Sequence, residues 1–251
     1  MLHLLKRHPI AMKAFFRHSL VLTYALPIDF LEKSLAPGLV LDTHGSYGFL
    51  AVALVQSQSL RPSFLPAWLG GSFFLSGYRL FVRFRGQARS LRGLQILRSD
   101  SDRLWMVNAG NLFTHYRYRW CKAEVNERPG KVEWQIHTAD AEANLRVIAY
   151  IDEAPAGLPE GSPFRGLREA GRFAGPLPYT FDYEAETHSL IRVRGIRRNW
   201  HPKQVRVEVL ENSFLTGKLF SQTTPILASA FHLYGVPYRW ERGRRCFTWT
   251  K

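Results

Sequence analysis

Hydrophobic and polar residues alternate along most of the chain, in short runs separated by residues that favour turns. Alternation with a period of two predicts β-strands, because successive side chains of a strand point to opposite faces. The runs that predict strands are 18–26, 40–43, 46–56, 72–85, 131–137, 144–151, 178–183, 189–197, 204–210 and 239–251. Many short strands with antiparallel-type turns favour a closed or curled antiparallel sheet over alternating βαβ units.

The segment 93–120 is predicted to form three strands at the centre of this sheet. Strands at 93–97 and 104–107 flank a Ser-Asp-Ser-Asp turn, and a third strand covers 113–120. In that third strand one face carries Phe113, His115, Arg117 and Arg119, and the other carries Thr114, Tyr116, Tyr118 and Trp120. A strand with cationic side chains on one face and aromatic rings on the other is suited to line a pocket.

Few helices are predicted. Pro27 begins a short helix that ends at Pro37-Gly38, and 224–234 is the strongest helical segment, with Pro225 at its first turn and Gly235 as its C-cap. Residues 1–17 are amphipathic and predict a docked terminal helix. The Pro- and Gly-rich segment 153–176 predicts a long surface loop. Without a composition shift along the chain, we expect one mainly β domain over residues 1–251 with a few short peripheral helices.

The net charge of +14 follows from 34 Lys and Arg residues against 20 Asp and Glu residues. Only eight of these cations are lysines. Arginine favours planar, bidentate partners such as carboxylates and phosphates. Arginines interleaved with aromatic residues at 78–85 and 113–120 are typical of nucleic-acid stacking platforms, so a basic nucleic-acid-binding module with non-specific affinity is an alternative function. Solvated strand faces and genomic composition also explain such an excess.

Motifs for metals, nucleotide cofactors and hydrolytic nucleophiles are absent from the sequence. Cys121 and Cys246 are far apart and lack metal-ligand spacing, and no P-loop, G-x-G-x-x-G, G-x-S-x-G or H-E-x-x-H sequence occurs. We therefore expect no cofactor, no metal and no disulfide framework. The longest uninterrupted apolar run, 49–55, is too short to span a bilayer. The expectation is a soluble, cytoplasmic protein without membrane association, as a monomer or a homo-oligomer.

Several short motifs resemble the uncharacterised bacterial DUF2071 family, part of the acetoacetate decarboxylase-like superfamily. They are Leu41-Asp42, Arg61-Pro62, the Gly-Tyr-Arg-Leu-Phe-Val run at 77–82, the segment 93–118, and a later echo at Trp200-His201-Pro202. The resemblance implies a curled, cone-like β-barrel with a central pocket.

Acetoacetate decarboxylases use a lysine pair, in which one amine forms an imine with the substrate ketone, together with an arginine and two glutamates. The resemblance places the lysines within 113–117 and the glutamates near Phe49 and Leu75, where this sequence has neither residue type. Only the arginine finds a counterpart, Arg17, in the similar segment 17–24. Since an imine requires an amine, the resemblance predicts that decarboxylation by this route is lost.

Four residues are predicted to line the pocket: Arg17, Arg79, His115 and Tyr116. Arg79 corresponds to the arginine of a motif usual in the family, and His115 and Tyr116 fall where the superfamily carries its chemistry. Cations without an internal carboxylate partner are costly to bury, so we expect the pocket to bind a small organic anion of the carboxylate type. A lyase or isomerase that transfers protons through His115 and Tyr116 is a further alternative.

Overall fold

Fourteen strands are present in the part of the chain that the computed structural model describes, which comprises residues 2–85, 90–153, 157–173, 177–198 and 201–247. They are β1 (Met12–Pro27), β2 (Leu39–Leu41), β3 (Tyr47–Pro62), β4 (Gly71–Arg85), β5 (Ser90–Ser101), β6 (Tyr118–Arg128), β7 (Lys131–Thr138), β8 (Leu145–Tyr150), β9 (Tyr179–Glu184), β10 (Ser189–Arg197), β11 (Lys203–Gln204), β12 (Arg206–Asn212), β13 (Ile226–Trp240) and β14 (Arg244–Phe247). The α-helices are α1 (Ile28–Glu32), α2 (Leu104–Phe113), α3 (Leu167–Phe173) and α4 (Ser213–Thr216), and 3₁₀ turns occupy Leu2–Lys6, Ala67–Leu69 and Ala185–Thr187.

Seven strands close into a ring in the order β5, β9, β10, β13, β1, β3 and β4, with β4 paired back to β5. From β5 the sheet also continues outward through β6, β7, β8 and β12. This architecture confirms the mainly β, curled sheet expected from the sequence. The sheet is antiparallel, as predicted, except at β5, which pairs in parallel with both β6 and β9.

The two faces of the ring have different roles. Along β3, Leu50, Val52 and Leu54 point outward and join the main core, in which Trp134 of the β6–β12 extension is fully buried. The intervening alanines and valine of β3 point into the ring. Strict alternation of the long strands thus produces one face packed on the extension and a second face that surrounds the interior.

A cluster of phenylalanines fills one end of the ring interior. Phe49 packs against Phe173 and Phe164 with ring centroids 4.7 and 5.2 Å apart, and Phe81 is 6.2 Å from Phe49. Phe49 is one of the positions where the resemblance would have placed a glutamate. Here the position belongs to an apolar cluster.

Residues 104–107 were predicted as a strand and are instead the first turn of α2. A short apolar run between turn signals fits a buried strand or a buried helix equally well by pattern alone. The helix is decided by tertiary packing, since the Tyr118 ring lies against Gly110 and leaves no room for a Cβ there. The predicted strand at 113–120 is correct only from Tyr118 onward. Residues 114–117 form a loop, in which Arg117 has a positive φ of 53°.

The helix predicted at 224–234 is wrong, because β13 occupies this segment. β13 pairs with β1 along nearly its whole length, and that ladder outweighs the Pro and Gly signals. Gly235, predicted as a C-cap, has φ +69° within the strand.

Three further segments of the sequence prediction remain: the N-terminal segment, the loop 153–176 and the motif that begins at Trp200. The N-terminal segment contains a 3₁₀ turn and the start of β1 rather than a docked helix, and α3 lies inside the predicted loop 153–176. Trp200 falls outside the described residues, and its neighbour His201 is exposed. No helix in the described part of the chain has the length and apolar character needed to cross a membrane.

Candidate functional site

A cavity of about 430 Å³ occupies the interior of the ring. Inward-facing residues of β1, β3, β4, β5, β9, β10 and β13 form its wall, and α2, the loop 114–117 and residues 8–12 cover it. The lining is mostly apolar. Among the lining residues that the structure describes there is no aspartate, no glutamate and no lysine. The charged groups of the wall are the guanidinium groups of Arg79 and Arg197.

Arg79 projects from β4 into this cavity. Its Nε is buried without a hydrogen-bond partner, and within the described residues Arg79 has no ion pair. Burial lowers the pKa of Arg79, and the nearby hydroxyl groups of Tyr238, Tyr118 and Tyr116 act in the opposite direction. Because arginine stays protonated in proteins, the cavity contains a positive charge that no carboxylate of the described residues neutralises.

Gly77 makes room for this guanidinium. Arg79 and Gly77 face the same side of β4, and a Cβ at Gly77 would lie 3.1 Å from Arg79 Nε and 3.3 Å from Nη2. The side chain of Arg79 therefore lies back along its own strand, over the glycine. A glycine two residues before an inward-facing arginine is the local sequence feature that allows this arrangement.

Two tyrosines complete the wall around Arg79. The loop before β6 is held by Thr114, whose hydroxyl donates to Gly110 O (2.8 Å) and accepts from Tyr116 N (3.1 Å). Burial raises the pKa of Tyr116 well above its ordinary value and the pKa of Tyr118 to about 12. Both phenols are therefore neutral and can donate hydrogen bonds to a bound group.

His8 belongs to the cavity wall, although no pattern in the sequence indicates this position. Its backbone has φ +50° and is held between Phe113 O and Gly243 N, each 3.0 Å away. The imidazole lies 5.0 Å from the Tyr116 ring, and its Nε2 is buried without a partner. Burial lowers the pKa of His8 to about 4, so the ring is neutral near pH 7. Only the folded chain brings residue 8 beside residue 116.

Two of the four predicted site residues line the cavity, namely Arg79 and Tyr116, and two do not. Arg17 donates to Glu127 Oε2 at 2.8 Å on the protein surface. The strand register of β1 against β3 shifts between Phe16 and His18, so that Phe16 and Ser19 both face the cavity and Arg17 points away. An irregularity of one residue reverses which side chains face inward.

His115 lies behind the cavity wall because the segment 114–117 is a loop and the predicted alternation does not apply there. Its backbone N–H donates to Asp182 Oδ2 (2.9 Å), and its Nε2 is 3.9 Å from Glu184 Oε1. Burial lowers the pKa of His115 and raises the pKa of Asp182 to about 7. His115 and Arg79 therefore do not face a common cavity.

The aromatic residues of the proposed nucleic-acid platforms are mostly interior. Tyr78 is fully buried in the main core, and Tyr116 and Tyr118 line the cavity. Trp120 is the member of this set at the surface, with 44% of its area exposed. The structure therefore provides no surface of alternating arginine and aromatic side chains at 78–85. Within the described residues, no group of three or more His, Cys, Asp or Glu side chains is arranged to hold a metal ion.

The ring, its extension and the internal cavity define the class of fold. The acetoacetate decarboxylase of Legionella pneumophila superposes with a TM-score of 0.66 at 10% identity, covering 95% of this chain and 88% of that one. An acetoacetate decarboxylase-like enzyme from Sphingomonas wittichii RW1 gives 0.66 at 14% identity, with 98% and 96% coverage. The enduracididine biosynthesis enzyme MppR, in complex with pyruvate, gives 0.61 at 11% identity, with 96% and 92% coverage. The chain has the acetoacetate decarboxylase-like fold.

Within this class the chain belongs to the DUF2071 family, described as uncharacterized conserved proteins. The family profile matches residues 13–236, which span the ring and its extension. No curated protein matches the chain.

Proposed function

We propose that this protein binds a small organic anion of the carboxylate type in the ring cavity, with Arg79 as the charged anchor and without imine chemistry. The observation that carries the proposal is the enclosed guanidinium of Arg79, which has no ion pair and no hydrogen bond at Nε among the described residues. A desolvated cation without a counter-charge is unfavourable. A ligand carboxylate supplies that counter-charge, and the neutral phenols of Tyr116 and Tyr118 supply further donors.

The comparison with MppR supports the ligand class, since the structure of that protein is a complex with pyruvate, a small carboxylate. The absence of lysine from the described lining separates this cavity from one that forms an imine. The lyase or isomerase alternative is weakened by the position of His115, because its imidazole is outside the cavity and does not reach a ligand held by Arg79.

The first test is binding of defined acids to the purified protein. A thermal-shift screen with acetate, pyruvate, acetoacetate, hexanoate and benzoate identifies the best probe, and calorimetry then measures its Kd. A hydrogen bond to a charged group contributes roughly 1.5–3 kcal/mol, so Arg79→Ala should weaken the best acid about 10- to 150-fold. Arg79→Lys should recover only part of this loss, because a lysine cannot form the bidentate contact.

Arg17→Ala is the matched control. It removes an arginine from the same ring of strands, but the side chain pairs with Glu127 at the surface. We expect it to leave the affinity unchanged. Equal binding of the acid to Arg79→Ala and to the parent protein would contradict the proposal, and an effect of Arg17→Ala equal to that of Arg79→Ala would show that general charge, not the cavity, attracts the acid.

A further inference from the structure

The positive charge and the apolar surface of the cavity are separated along the strands. In the antiparallel pairing of β3 with β4, the residues that face the cavity lie opposite one another in this order: Ala51 and Arg79, Ala53 and Gly77, Val55 and Leu75, then Ser57 and Phe73. Because the Arg79 guanidinium lies over Gly77, the charge sits at the level of Ala53. Beyond that level, valine, leucine and phenylalanine side chains dominate these two strands.

The apolar part of the cavity is long. At the ~3.3 Å rise per residue of a β-strand, Gly71 is about 20 Å from Gly77 along β4. The Trp105 indole lies directly over Gly71, where a Cβ would be 2.5 Å from Cζ2. Trp105 lines the cavity and is 44% exposed, so this end of the cavity lies at the molecular surface. Phe64 and Trp68, in the connection between β3 and β4, are also exposed there.

The opposite end is closed by the phenylalanine cluster of Phe49, Phe81, Phe164 and Phe173. The charge of Arg79 is therefore near the closed end. The second arginine of the wall, Arg197, already donates to Leu177 O (3.1 Å) and the Tyr238 hydroxyl (3.2 Å). Arg79, whose Nε has no hydrogen-bond partner among the described residues, is therefore the anchor for one carboxylate.

We infer that the ligand is an amphipathic monocarboxylate, with its carboxylate at Arg79 and an extended alkyl or aryl body along Val55, Leu75 and Phe73 toward Trp105. The inference rests on the proposed function and specifies its substrate class. An acid of two or three carbons satisfies Arg79 but leaves most of the 430 Å³ cavity unfilled. A longer body removes the apolar walls from water, which is the larger source of affinity.

The test is a calorimetric series of straight-chain acids from acetate to dodecanoate, below their micelle concentrations, with primary alcohols of equal length. Affinity for the acids should rise about fourfold per methylene, which corresponds to the ~0.8 kcal/mol of a buried CH₂, and level off once the cavity is filled. The alcohols should show the same rise at lower affinity. Arg79→Ala should bring each acid close to its alcohol.

A second variant shortens the cavity without touching Arg79. Ser57 is buried at the level of Phe73, and its hydroxyl has no partner. Ser57→Phe should abolish the gain from carbons beyond that level and leave short acids unaffected, whereas Ser57→Ala should preserve the full series. Circular dichroism checks the fold of each variant, and the series on the parent protein decides the question if Ser57→Phe does not fold.

The proposed function and the inference of an amphipathic ligand are contradicted by different results. Equal affinity for acetate, hexanoate and decanoate would overturn the amphipathic ligand, while a loss on Arg79→Ala would still uphold anion binding. Equal affinity for acids and alcohols, in the parent and in Arg79→Ala, would instead overturn the proposed function. The expected pattern requires both chain-length dependence and carboxylate dependence.

Discussion

At the scale of single residues, a pair of histidines outside the cavity is buried between the ring and its extension. His18 Nδ1 and His232 Nε2 are 2.9 Å apart, and the two residues are only 3% and 6% exposed. Around them lie Glu127, 3.5 Å from His18 Nε2, and the rings of Trp134 and Tyr234. Burial lowers the pKa of His232 to about 4 and also lowers that of His18. Both rings are therefore neutral at pH 7, and one of the two facing nitrogens can donate a hydrogen bond to the other.

This pair predicts a loss of stability in mild acid. The unfolded chain takes up a proton on His232 near pH 6.5, whereas the folded protein does so only near pH 4. The contribution of His232 to the free energy of unfolding is fully present above pH 6.5. It is lost as the pH falls toward 4, at up to ~1.4 kcal/mol per pH unit. Asp182, whose pKa burial raises to about 7, acts in the opposite sense over the whole of this range.

Urea unfolding at several pH values between 7.5 and 4 isolates this effect when the parent protein is compared with His232→Gln. Glutamine can still bond to His18 but does not titrate, so the variant should show a shallower dependence of unfolding free energy on pH. The exposed His201 provides the control, and His201→Gln should follow the parent. If the unfolding free energies of the parent and of His232→Gln depend on pH in the same way, the pair of His18 and His232 does not remain neutral in the folded protein.

The residue composition of the cavity wall predicts the outcome of an imine-trapping experiment. Incubation with acetoacetate followed by borohydride reduction should add no stoichiometric mass to the protein, because no lysine lines the described part of the cavity. An acetoacetate decarboxylase treated in parallel gives the positive signal. The nearest amines in sequence to the cavity cover are Lys6 and Lys13. A stoichiometric adduct mapped to either one would overturn the assignment.

Individual site residues were predictable wherever the strand was regular. Arg79 lies in β4, where alternation holds through its inward-facing neighbours Gly77 and Phe81, and its side chain lines the cavity. Arg17 lies at a register irregularity of β1, which a hydrophobic pattern does not reveal. His8 enters the cavity wall through two long-range backbone hydrogen bonds, to Phe113 and from Gly243, and no local pattern encodes such contacts.

At the scale of elements, the hydrophobic pattern predicted most of the strands. It assigned the wrong type to two segments that shape the site, because β13 was predicted as a helix and the start of α2 as a strand. β13 has the composition of a buried helix between Pro225 and Gly235, but its pairing with β1 on one side and β11 on the other requires an extended conformation. α2 has the composition of a buried strand, but its Gly110 accommodates the Tyr118 ring. In both segments non-local packing outweighs local propensity, and a single sequence contains little information about such packing.

At the scale of the whole molecule, ion pairs with carboxylates neutralise part of the arginine charge. Arg83 and Arg92 both donate to Asp42, and Arg98 bonds to Asp100 and Asp140. With 34 cations against 20 carboxylates, at least 14 positive charges nevertheless remain without a matching side chain. Such a surface attracts polyanions through general electrostatics, independent of their sequence.

We therefore expect oligonucleotides to bind weakly, without sequence preference and with a steep dependence on salt. Contacts made only to phosphates release counterions, and six or more of them should lower the affinity by about 10³-fold between ~50 and ~200 mM salt. Fluorescence titrations with labelled DNA and RNA of several sequences at both salt concentrations measure this. Arg79→Ala should leave these titrations unchanged, because the Arg79 side chain is inside the ring and does not reach a phosphate backbone. Tight, sequence-dependent binding at the higher salt concentration would instead establish a nucleic-acid-binding function that uses the outer surface of the molecule.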